Sequence, residues 1–194
     1  MANIFDLVDD SKTDKNTTHS YLGLYDDLLM DRRESARNVL EVGIGDFGEK
    51  NGGSIKLWKD YFPNATVYGL DILPIDRVMD ELLEDPRVVL LTGVNAYDQR
   101  IVKEEFINKR NVKFDFLIDD GSHQLGDMKT FIKYYLPLMA DDGIMIIEDV
   151  PDARWIEELV NEVPEGMKHY VRAFDLRANK NRFDDIVFVI DKRF

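Results

Sequence analysis

Apolar residues occur along the chain in two patterns, as short uninterrupted runs and as repeats at helical spacing. Short runs are typical of strands buried on both faces, whereas repeats of three and four residues are typical of helices that bury one face. The runs predict strands at residues 38–42, 66–70, 88–91, 114–118, 144–147, 169–174 and 186–190. The repeats predict helices at residues 20–30, 54–61, 73–83, 97–109, 127–138 and 151–161.

Strands and helices alternate through five units, but only a polar loop at residues 175–185 joins the last two strands. Two adjacent strands without a crossover helix run antiparallel. The pattern therefore predicts an α/β fold with a Rossmann-like, doubly wound, mostly parallel seven-stranded sheet and a terminal antiparallel hairpin. No repeat or linker interrupts it, so we expect a single domain over residues 1–194, with an amino-terminal lid or helix segment at 1–34 and the core at 35–194.

Two of the predicted strands end in paired acids. Asp119 and Asp120 follow the fourth strand, and Glu148 and Asp149 follow the fifth. Since the carboxyl ends of parallel strands meet at one edge of a sheet, these four carboxylates converge there and repel one another unless a cation joins them. Oxygen ligands suit a hard ion, so the sequence predicts a divalent metal site, with Mg²⁺ as the first choice.

A glycine-rich loop, Gly43-Ile44-Gly45-Asp46-Phe47-Gly48, follows the first strand and matches the spacing of dinucleotide-binding loops. Two features favour a cationic sulfonium ligand over a pyrophosphate. Glu41 lies inside that strand, and a long loop separates the glycines from the next helix, which we expect Ser54 to cap. Glu41 either stabilises the loop or faces the ligand. Asp71, at the end of the second strand, is placed to accept ribose hydroxyls, and Asn95 to meet an adenine edge.

Composition narrows the classes of partner. The 194 residues carry 38 acids and 25 bases, a formal charge of −13 that repels nucleic acid. Cysteine is absent, which excludes disulfides and thiolate metal sites. Because the chain lacks an apolar run long enough to span a membrane and a signal-like start, we expect a soluble, cytoplasmic protein without a membrane or nucleic-acid partner.

Five motifs, spread over nearly the whole chain, resemble those of the class I S-adenosylmethionine-dependent methyltransferases. They are Glu41-Val42-Gly43-Ile44-Gly45, Gly52-Gly53-Ser54, Gly69-Leu70-Asp71-Ile72, Ile118-Asp119-Asp120-Gly121-Ser122-His123 and Ile147-Glu148-Asp149. More narrowly, the chain resembles the metal-dependent macrolide sugar O-methyltransferases of the mycinamicin methyltransferase type, with cephalosporin hydroxylase-like relatives. The resemblance extends to Thr13-Asp14-Lys15 and to the terminal loop.

The resemblance implies S-adenosylmethionine and Mg²⁺ as cofactors. It implies that Asp120, Glu148 and Asp149 bind the metal and that His123 is the general base, although His123 also suits the start of the following helix. Asp119 serves the metal, orients the loop or faces the cofactor, and alternation along a strand points it away from Asp120.

Further contacts complete the expected site. The expected cofactor contacts are Lys15, Glu41, Gly43, Gly45, Ser54, Asp71, Asn95 and Asp119. The expected substrate contacts are His19, Tyr21, Arg177, Lys180 and Arg182. His19 either packs in the lid or contacts a ligand, while His169 is expected to be structural, within a strand. The basic residues of the terminal loop either attract an anionic substrate or form a solvated hairpin tip.

We therefore expect an enzyme that transfers a methyl group to a hydroxyl of a sugar-like small molecule. Its assembly is left open, with a homo-oligomer as one option. A catechol-type O-methyltransferase, a nicotinamide-dependent oxidoreductase and a non-catalytic cofactor-binding subunit are the alternatives.

Overall fold

The structure, a computed structural model, describes residues 3–45 and 48–193, so Asp46 and Phe47 of the glycine loop lie outside the described residues. Every predicted strand is present. The strands are β1 (Asn38–Val42), β2 (Thr66–Asp71), β3 (Val88–Thr92), β4 (Phe114–Asp119), β5 (Met139–Ile147), β6 (Val171–Asp175) and β7 (Ile186–Asp191).

The strands form one sheet in the order β3-β2-β1-β4-β5-β7-β6. Strands β1 to β5 pair in parallel, whereas β7 inserts antiparallel between β5 and β6. The chain changes direction across the sheet between β1 and β4, which is where open α/β sheets bind ligands. The predicted doubly wound sheet with a terminal antiparallel hairpin is thus confirmed.

Helices cover both faces of this sheet. They are α1 (Ile4–Leu7), α2 (Leu22–Leu29), α3 (Gly53–Tyr61), α4 (Asp80–Glu84), α5 (Gln99–Val102), α6 (Leu125–Tyr135), α7 (Trp155–Glu162) and α8 (Arg177–Lys180). A π-helical turn, Lys103–Asn108, extends α5. Within the described ranges, no helix combines the length and the apolar character that a membrane crossing requires.

Two hydrophobic layers sandwich the sheet because successive strand residues face opposite sides. Val39 and Ile118 pack with α2 and α3 on one face, where Trp58 is fully buried. Leu40 and Leu117 face α6 and α7 on the other side. Burial on both faces explains why the strands read as uninterrupted apolar runs.

One predicted helix is wrong. Residues 73–83 form a 3₁₀ turn at Ile75–Arg77 and the short α4 instead of one helix. The backbone of residues 77–79 pairs with Asn51, which lies between the glycine loop and α3. The Asn51 N–H donates to the Arg77 carbonyl at 2.7 Å, and the Asn51 carbonyl accepts from the Met79 amide at 3.0 Å. This long-range pairing draws the segment out of helical geometry.

Two smaller corrections concern element boundaries. Ser54 does not cap α3, because the helix begins one residue earlier and Gly52 is its cap residue, with φ +114°. His169 lies in the 3₁₀ turn Glu165–Tyr170 before β6 and not within a strand.

Candidate active site

One cleft of about 950 Å³ opens at the carboxyl ends of β1 to β5. Its volume is near the upper end of the range typical of small-molecule sites. Seven of the predicted site residues line this cleft, namely Gly43, Gly45, Asp71, Asn95, Asp120, His123 and Asp149. Lys15, Glu41, Ser54, Asp119 and Glu148 are buried and do not line it.

The glycine loop reaches the cleft through a turn that only glycine fits. Gly43 has φ +93°, and a Cβ there would lie 1.9 Å from the carbonyl oxygen of Asp120. Gly45 has φ +113° and also lines the cleft. The loop therefore packs directly on the backbone that carries the acidic residues, as close backbone approach requires.

Asp71 anchors this loop and keeps acceptor capacity. Its carboxylate accepts the backbone N–H of Ile44 at 2.6 Å and that of Leu73 at 2.8 Å. Each carboxylate oxygen has two lone pairs, so one on each oxygen remains for a ligand hydroxyl. Asn95 lines the cleft and uses its side-chain oxygen to accept the Tyr97 N–H at 2.9 Å, so the N–H donors of its amide take no part in that bond.

A buried lysine holds the inner side of the acidic cluster. Lys15 Nζ lies 2.6 Å from Asp120 Oδ2, 3.5 Å from Glu41 Oε1, and in direct contact with Glu148 Oε1. Burial lowers the pKa of Lys15, but the three carboxylates outweigh burial and raise this pKa well above its usual value. The lysine is therefore charged.

His123 faces the outer side of the same cluster. Its Nε2 atom lies 3.2 Å from Asp120 Oδ1 and 3.3 Å from Asp149 Oδ2. Burial lowers the pKa of His123, but the two carboxylates outweigh burial and raise it. The side chain is 41% exposed and lines the cleft, so His123 contacts both the acids and the space for a ligand.

Two tyrosines of the amino-terminal segment donate hydrogen bonds to acids of the cluster. Tyr21 donates to Asp149 Oδ1, and Tyr25 donates to Glu148 Oε2. The tyrosines are four residues apart and so lie on one face of the α2 segment. Tyr25 was not among the predicted site residues, and its spacing from Tyr21 is the sequence signal that favours a site role.

His19 links this segment to the terminal hairpin. Its Nδ1 atom lies 2.6 Å from Asp185 Oδ1 and 3.3 Å from Asp149 Oδ1, while Nε2 lies 3.4 Å from Asp14 Oδ2. Burial lowers the pKa of His19, but these carboxylates outweigh burial and raise the pKa to about 9. His19 is 3% exposed and packs in the segment without lining the cleft.

Asp119 points away from Asp120, as the strand alternation predicts. Its Oδ1 atom accepts the Tyr97 hydroxyl at 2.6 Å, and that hydroxyl accepts the Ser122 N–H at 3.2 Å. Asp119 Oδ2 is buried without a hydrogen-bond partner among the described residues. Burial raises the pKa of Asp119 to about 7. Tyr97, which sequence reasoning missed, thus holds both Asp119 and the loop that leads to His123.

Glu41 stabilises the neighbourhood of the glycine loop from within the core. Its Oε2 atom accepts the Ser54 hydroxyl at 2.7 Å, and the residue is fully buried. Of the two interpretations left open for Glu41, the loop-stabilising one fits this placement. Glu41 and Ser54 were predicted to contact the cofactor, and to do so their side chains would have to break the hydrogen bond that joins them.

The basic residues of the terminal loop are engaged within the chain. Arg177 pairs with Asp175 at 2.6 Å, Arg182 pairs with Asp184 at 3.0 Å, and Lys180 donates to the carbonyl oxygens of Asn16 and Thr17. The loop does lie at the carboxyl edge, because its Asp185 contacts His19. Its arginines are already neutralised by neighbouring acids, which weakens the case for an anionic substrate.

The cluster fits a divalent cation by its charge and its donor atoms. Burial and the neighbouring Asp120 raise the pKa of Glu148 and of Asp149 despite their hydrogen bonds, because ionised carboxylates that are buried close together disfavour one another. Asp120, His123 and Asp149 each place one possible ligand atom within 4.8 Å of the others. Asp120 and Asp149 offer oxygen ligands at the cleft, whereas both oxygens of Glu148 contact Lys15 and Tyr25.

Sequence comparison identifies relatives but no matching family model. The chain is 35% identical over 142 residues to mycinamicin VI 2''-O-methyltransferase of Micromonospora griseorubida, which covers 71% of this chain and 33% of that protein. It is 32% identical over 139 residues to L-olivosyl-oleandolide 3-O-methyltransferase of Streptomyces antibioticus, covering 71% of this chain and 34% of that protein. The chain thus spans about a third of the length of these curated relatives.

Solved structures agree on the fold. The MycE methyltransferase of the mycinamycin pathway, in complex with Mg, SAH and mycinamycin VI, has a TM-score of 0.76 at 23% identity, covering 99% of this chain and 55% of that one. An O-methyltransferase from Bacillus cereus in complex with SAH has a TM-score of 0.56 at 18% identity, covering 81% and 74%. The chain is therefore a homologue of the sugar O-methyltransferases of macrolide and tetracenomycin pathways, and its fold is that of the class I methyltransferases.

Proposed function

We propose that this chain is an S-adenosylmethionine-dependent, Mg²⁺-assisted O-methyltransferase that acts on a hydroxyl of a sugar or sugar-like small molecule. The observation that carries the proposal is the meeting of the glycine loop with the Asp120, His123 and Asp149 group in one cleft. Homology to sugar O-methyltransferases supports the reaction and the class of acceptor.

The donor belongs on the β1–β2–β3 side of the cleft. The backbone turn at Gly43 and Gly45 gives close approach to its amino-acid end, Asp71 accepts from its ribose hydroxyls, and Asn95 donates to its adenine. The positive sulfonium is compatible with the acids that line the cleft, whereas a pyrophosphate is repelled. This distribution favours S-adenosylmethionine over a nicotinamide dinucleotide.

The acceptor belongs beside His123. In this role Nε2–H of His123 donates to the carboxylates of Asp120 and Asp149, which hold the imidazole in place, and the other ring nitrogen, Nδ1, takes the hydroxyl proton. Asp120 and Asp149, with Glu148 behind them, would hold Mg²⁺, which when bound supplies a Lewis acid that acidifies the acceptor hydroxyl. Methyl transfer is an in-line displacement, so positioning by the chain contributes much of the rate.

The amino-terminal segment, residues 1–34, belongs to the site in this proposal. Four of its side chains contact acids of the site or of the terminal loop, namely Lys15, His19, Tyr21 and Tyr25. We therefore treat them as part of one domain. The oligomeric state stays a prediction, which light scattering of the purified chain would measure.

Ligand binding and turnover test the proposal together. We expect calorimetry to detect S-adenosylhomocysteine but not NAD, and a labelled donor to transfer methyl groups to members of a panel of sugars in a Mg²⁺-dependent way. His123→Gln should lower kcat by roughly 100-fold or more, the usual effect of losing a general base. Asp60→Asn, on the outer side of α3 where the acid pairs with Lys56, is the matched control.

Binding of NAD without S-adenosylhomocysteine would refute the proposal in favour of an oxidoreductase. Turnover of catechols but not of sugars would replace the class of acceptor. Donor binding without turnover of either panel would favour a non-catalytic cofactor-binding subunit.

A further inference from the structure

A second pocket, of about 580 Å³, lies at the terminal loop between β6 and β7. Among the described residues, its lining and that of the cleft have no member in common. The lining comes from one short stretch of the chain, namely Asp175, Arg177, Ala178, Asn181, Arg182 and Phe183. The proposed methyl transfer leaves this terminal-loop pocket without a role.

The terminal loop is fixed to the amino-terminal segment by a residue that does not line the pocket. Lys180 Nζ donates to the Thr17 carbonyl at 3.0 Å. Asn181 then takes a left-handed conformation, with φ +58°, which asparagine adopts more readily than most residues and which ends α8. The turn thus brings Arg177 and Phe183, which lie on either side of it, to one pocket.

The charges at this pocket balance. Arg177 pairs with Asp175 through Nε at 2.8 Å and Nη2 at 2.6 Å, and Arg182 pairs with Asp184 at 3.0 Å. The Arg177 side chain is 43% exposed, and its guanidinium has five N–H donors, of which this pair uses two. An anion meets a neutral pocket on a chain of charge −13, so an uncharged ligand with hydroxyl groups fits better.

Phe183 supplies the apolar surface of the pocket. Its side chain is 65% exposed, and the Arg182 guanidinium lies 5.9 Å from the ring centroid. A single exposed apolar side chain is common on protein surfaces and indicates nothing by itself. Here the ring lies beside hydrogen-bond donors and acceptors, the combination by which small-molecule sites hold and orient a ligand. The matching ligand has an apolar face and hydroxyls at its edge, and a sugar ring has both.

The terminal-loop pocket lies toward the acceptor end of the cleft. Asp185, at the end of the loop, contacts His19 at 2.6 Å, and His19 contacts Asp149, which lines the cleft, at 3.3 Å. The donor belongs at the other end, beside Gly43 and Asp71. An acceptor that extends toward the terminal loop therefore extends away from the donor.

We infer that the terminal-loop pocket is a subsite for a second, uncharged sugar ring of the acceptor. Phe183 packs on the apolar face of that ring, and Arg177 and Asn181 donate to its hydroxyls. The inference rests on the proposed function, because it concerns an acceptor whose first ring lies beside His123. It makes the preferred acceptor a disaccharide or larger glycoside and makes Phe183 a specificity-determining residue.

Kinetics with paired acceptors test the subsite. Methyl glycosides of glucose, galactose, mannose, rhamnose and fucose are each compared with a disaccharide that carries the same sugar at its non-reducing end. In Phe183→Ala we expect the KM for the disaccharide, relative to that for the single sugar, to rise by about tenfold, the size of one lost aromatic contact. The change should be in KM and not in kcat. Phe183→Trp should keep the ratio of the unaltered chain, because an aromatic face remains.

Met30→Ala is the matched control. Met30 is a similarly exposed apolar side chain, at 59%, but it follows α2 at the opposite edge of the sheet, where Arg32 pairs with Asp142. The ratio of the two KM values should not change in this variant.

A ratio that stays constant in Phe183→Ala would overturn the inference, since the ring would then make no contact with the second sugar. Failure of the proposed function looks different, because the unaltered chain then methylates no acceptor of the panel. Saturation-transfer NMR of the same disaccharides decides the subsite in that case. Binding that weakens in Phe183→Ala and not in Met30→Ala supports it, and equal binding to all three chains overturns it.

Discussion

Single residues at the edge of the cleft carry the strictest demands. Gly43 combines φ +93° with backbone contact to Asp120, so a side chain there is opposed by the backbone conformation and by a steric clash that no rotamer relieves. Both causes act on the junction between the glycine loop and the acids. The residue therefore couples the two parts of the candidate site.

We predict that Gly43→Ala lowers the free energy of unfolding by about 3 kcal/mol or more, or prevents folding. Gly126→Ala is the control, because Gly126 lies in α6 with no atom within 4 Å of a Cβ placed there. That change should leave stability the same or raise it by up to about 1 kcal/mol. Urea denaturation compares the two, and equal effects would contradict the assigned strain.

Motif spacing predicted the cleft residues better than the buried ones. Gly43, Asp71, Asn95 and His123 line the cleft as the motifs suggested. Lys15 was expected at the cofactor and is instead buried among acids, because its position depends on a turn segment whose path has no periodic signal in the sequence. The functional roles of all these residues stay predictions.

Among the elements, β7 is the strand that runs antiparallel to both of its neighbours, β5 and β6. It pairs on both sides with antiparallel neighbours and ends at Asp191, which is 1% exposed and pairs with Arg193 at 2.7 Å. Burial raises the pKa of Asp191, but hydrogen bonds and charge from Arg193 outweigh burial and lower the pKa below 3.8. A carboxyl whose pKa is lowered by folding stabilises the fold above its unfolded pKa and loses this contribution as the pH falls.

We predict that Asp191→Asn destabilises the chain at pH 7 by about 1 kcal/mol. The change removes charge-assisted hydrogen bonds with Arg193, and the asparagine amide replaces them only in part. The deficit should shrink as the pH falls below 3.8, because the aspartate then becomes neutral as well. Thermal unfolding at several pH values measures it. Asp142→Asn, at an exposed ion pair with Arg32, is the control, and a deficit independent of pH would contradict the interpretation.

The segment at residues 73–83 shows where element prediction failed. Its apolar residues recur at helical spacing, but the 3₁₀ turn Ile75–Arg77 is followed by the extended residue Val78, and the backbone of residues 77–79 pairs with Asn51. Helical spacing reports which side chains are buried, and it does not report a hydrogen-bond partner elsewhere in the chain. The long helices α3 and α6, which have no such competitor, were predicted within two residues at their first turns.

For the whole molecule, charge is the dominant feature. A formal charge of −13 makes the folded state repel itself, and the acids at the carboxyl edge add a local concentration of the same sign. Monovalent salt screens this repulsion over the Debye length, whereas a bound divalent ion removes it at one place. The two effects can be separated by matching ionic strength.

We predict that raising KCl from about 0.02 M to about 0.3 M increases the melting temperature, because the shorter Debye length screens the repulsion among the acids. At matched ionic strength, MgCl₂ should increase it further, since an ion at about 100 times its Kd contributes about 2.7 kcal/mol. Asp149→Asn should abolish the additional effect of Mg²⁺ and keep that of KCl. An equal response to both salts in the unaltered chain would argue against a specific ion site.

The sequence by itself determined the strands, their mostly parallel arrangement and the residues at their carboxyl ends, because burial on both faces and strand–helix alternation leave periodic signals. Only the tertiary structure decided which partner each polar side chain has. Lys15 and Glu148 are 133 residues apart, and His19 and Asp185 are 166 residues apart. Such contacts depend on how the amino-terminal segment and the terminal hairpin cross the sheet edge. The spacing of residues along the chain does not specify how these two segments cross the sheet edge.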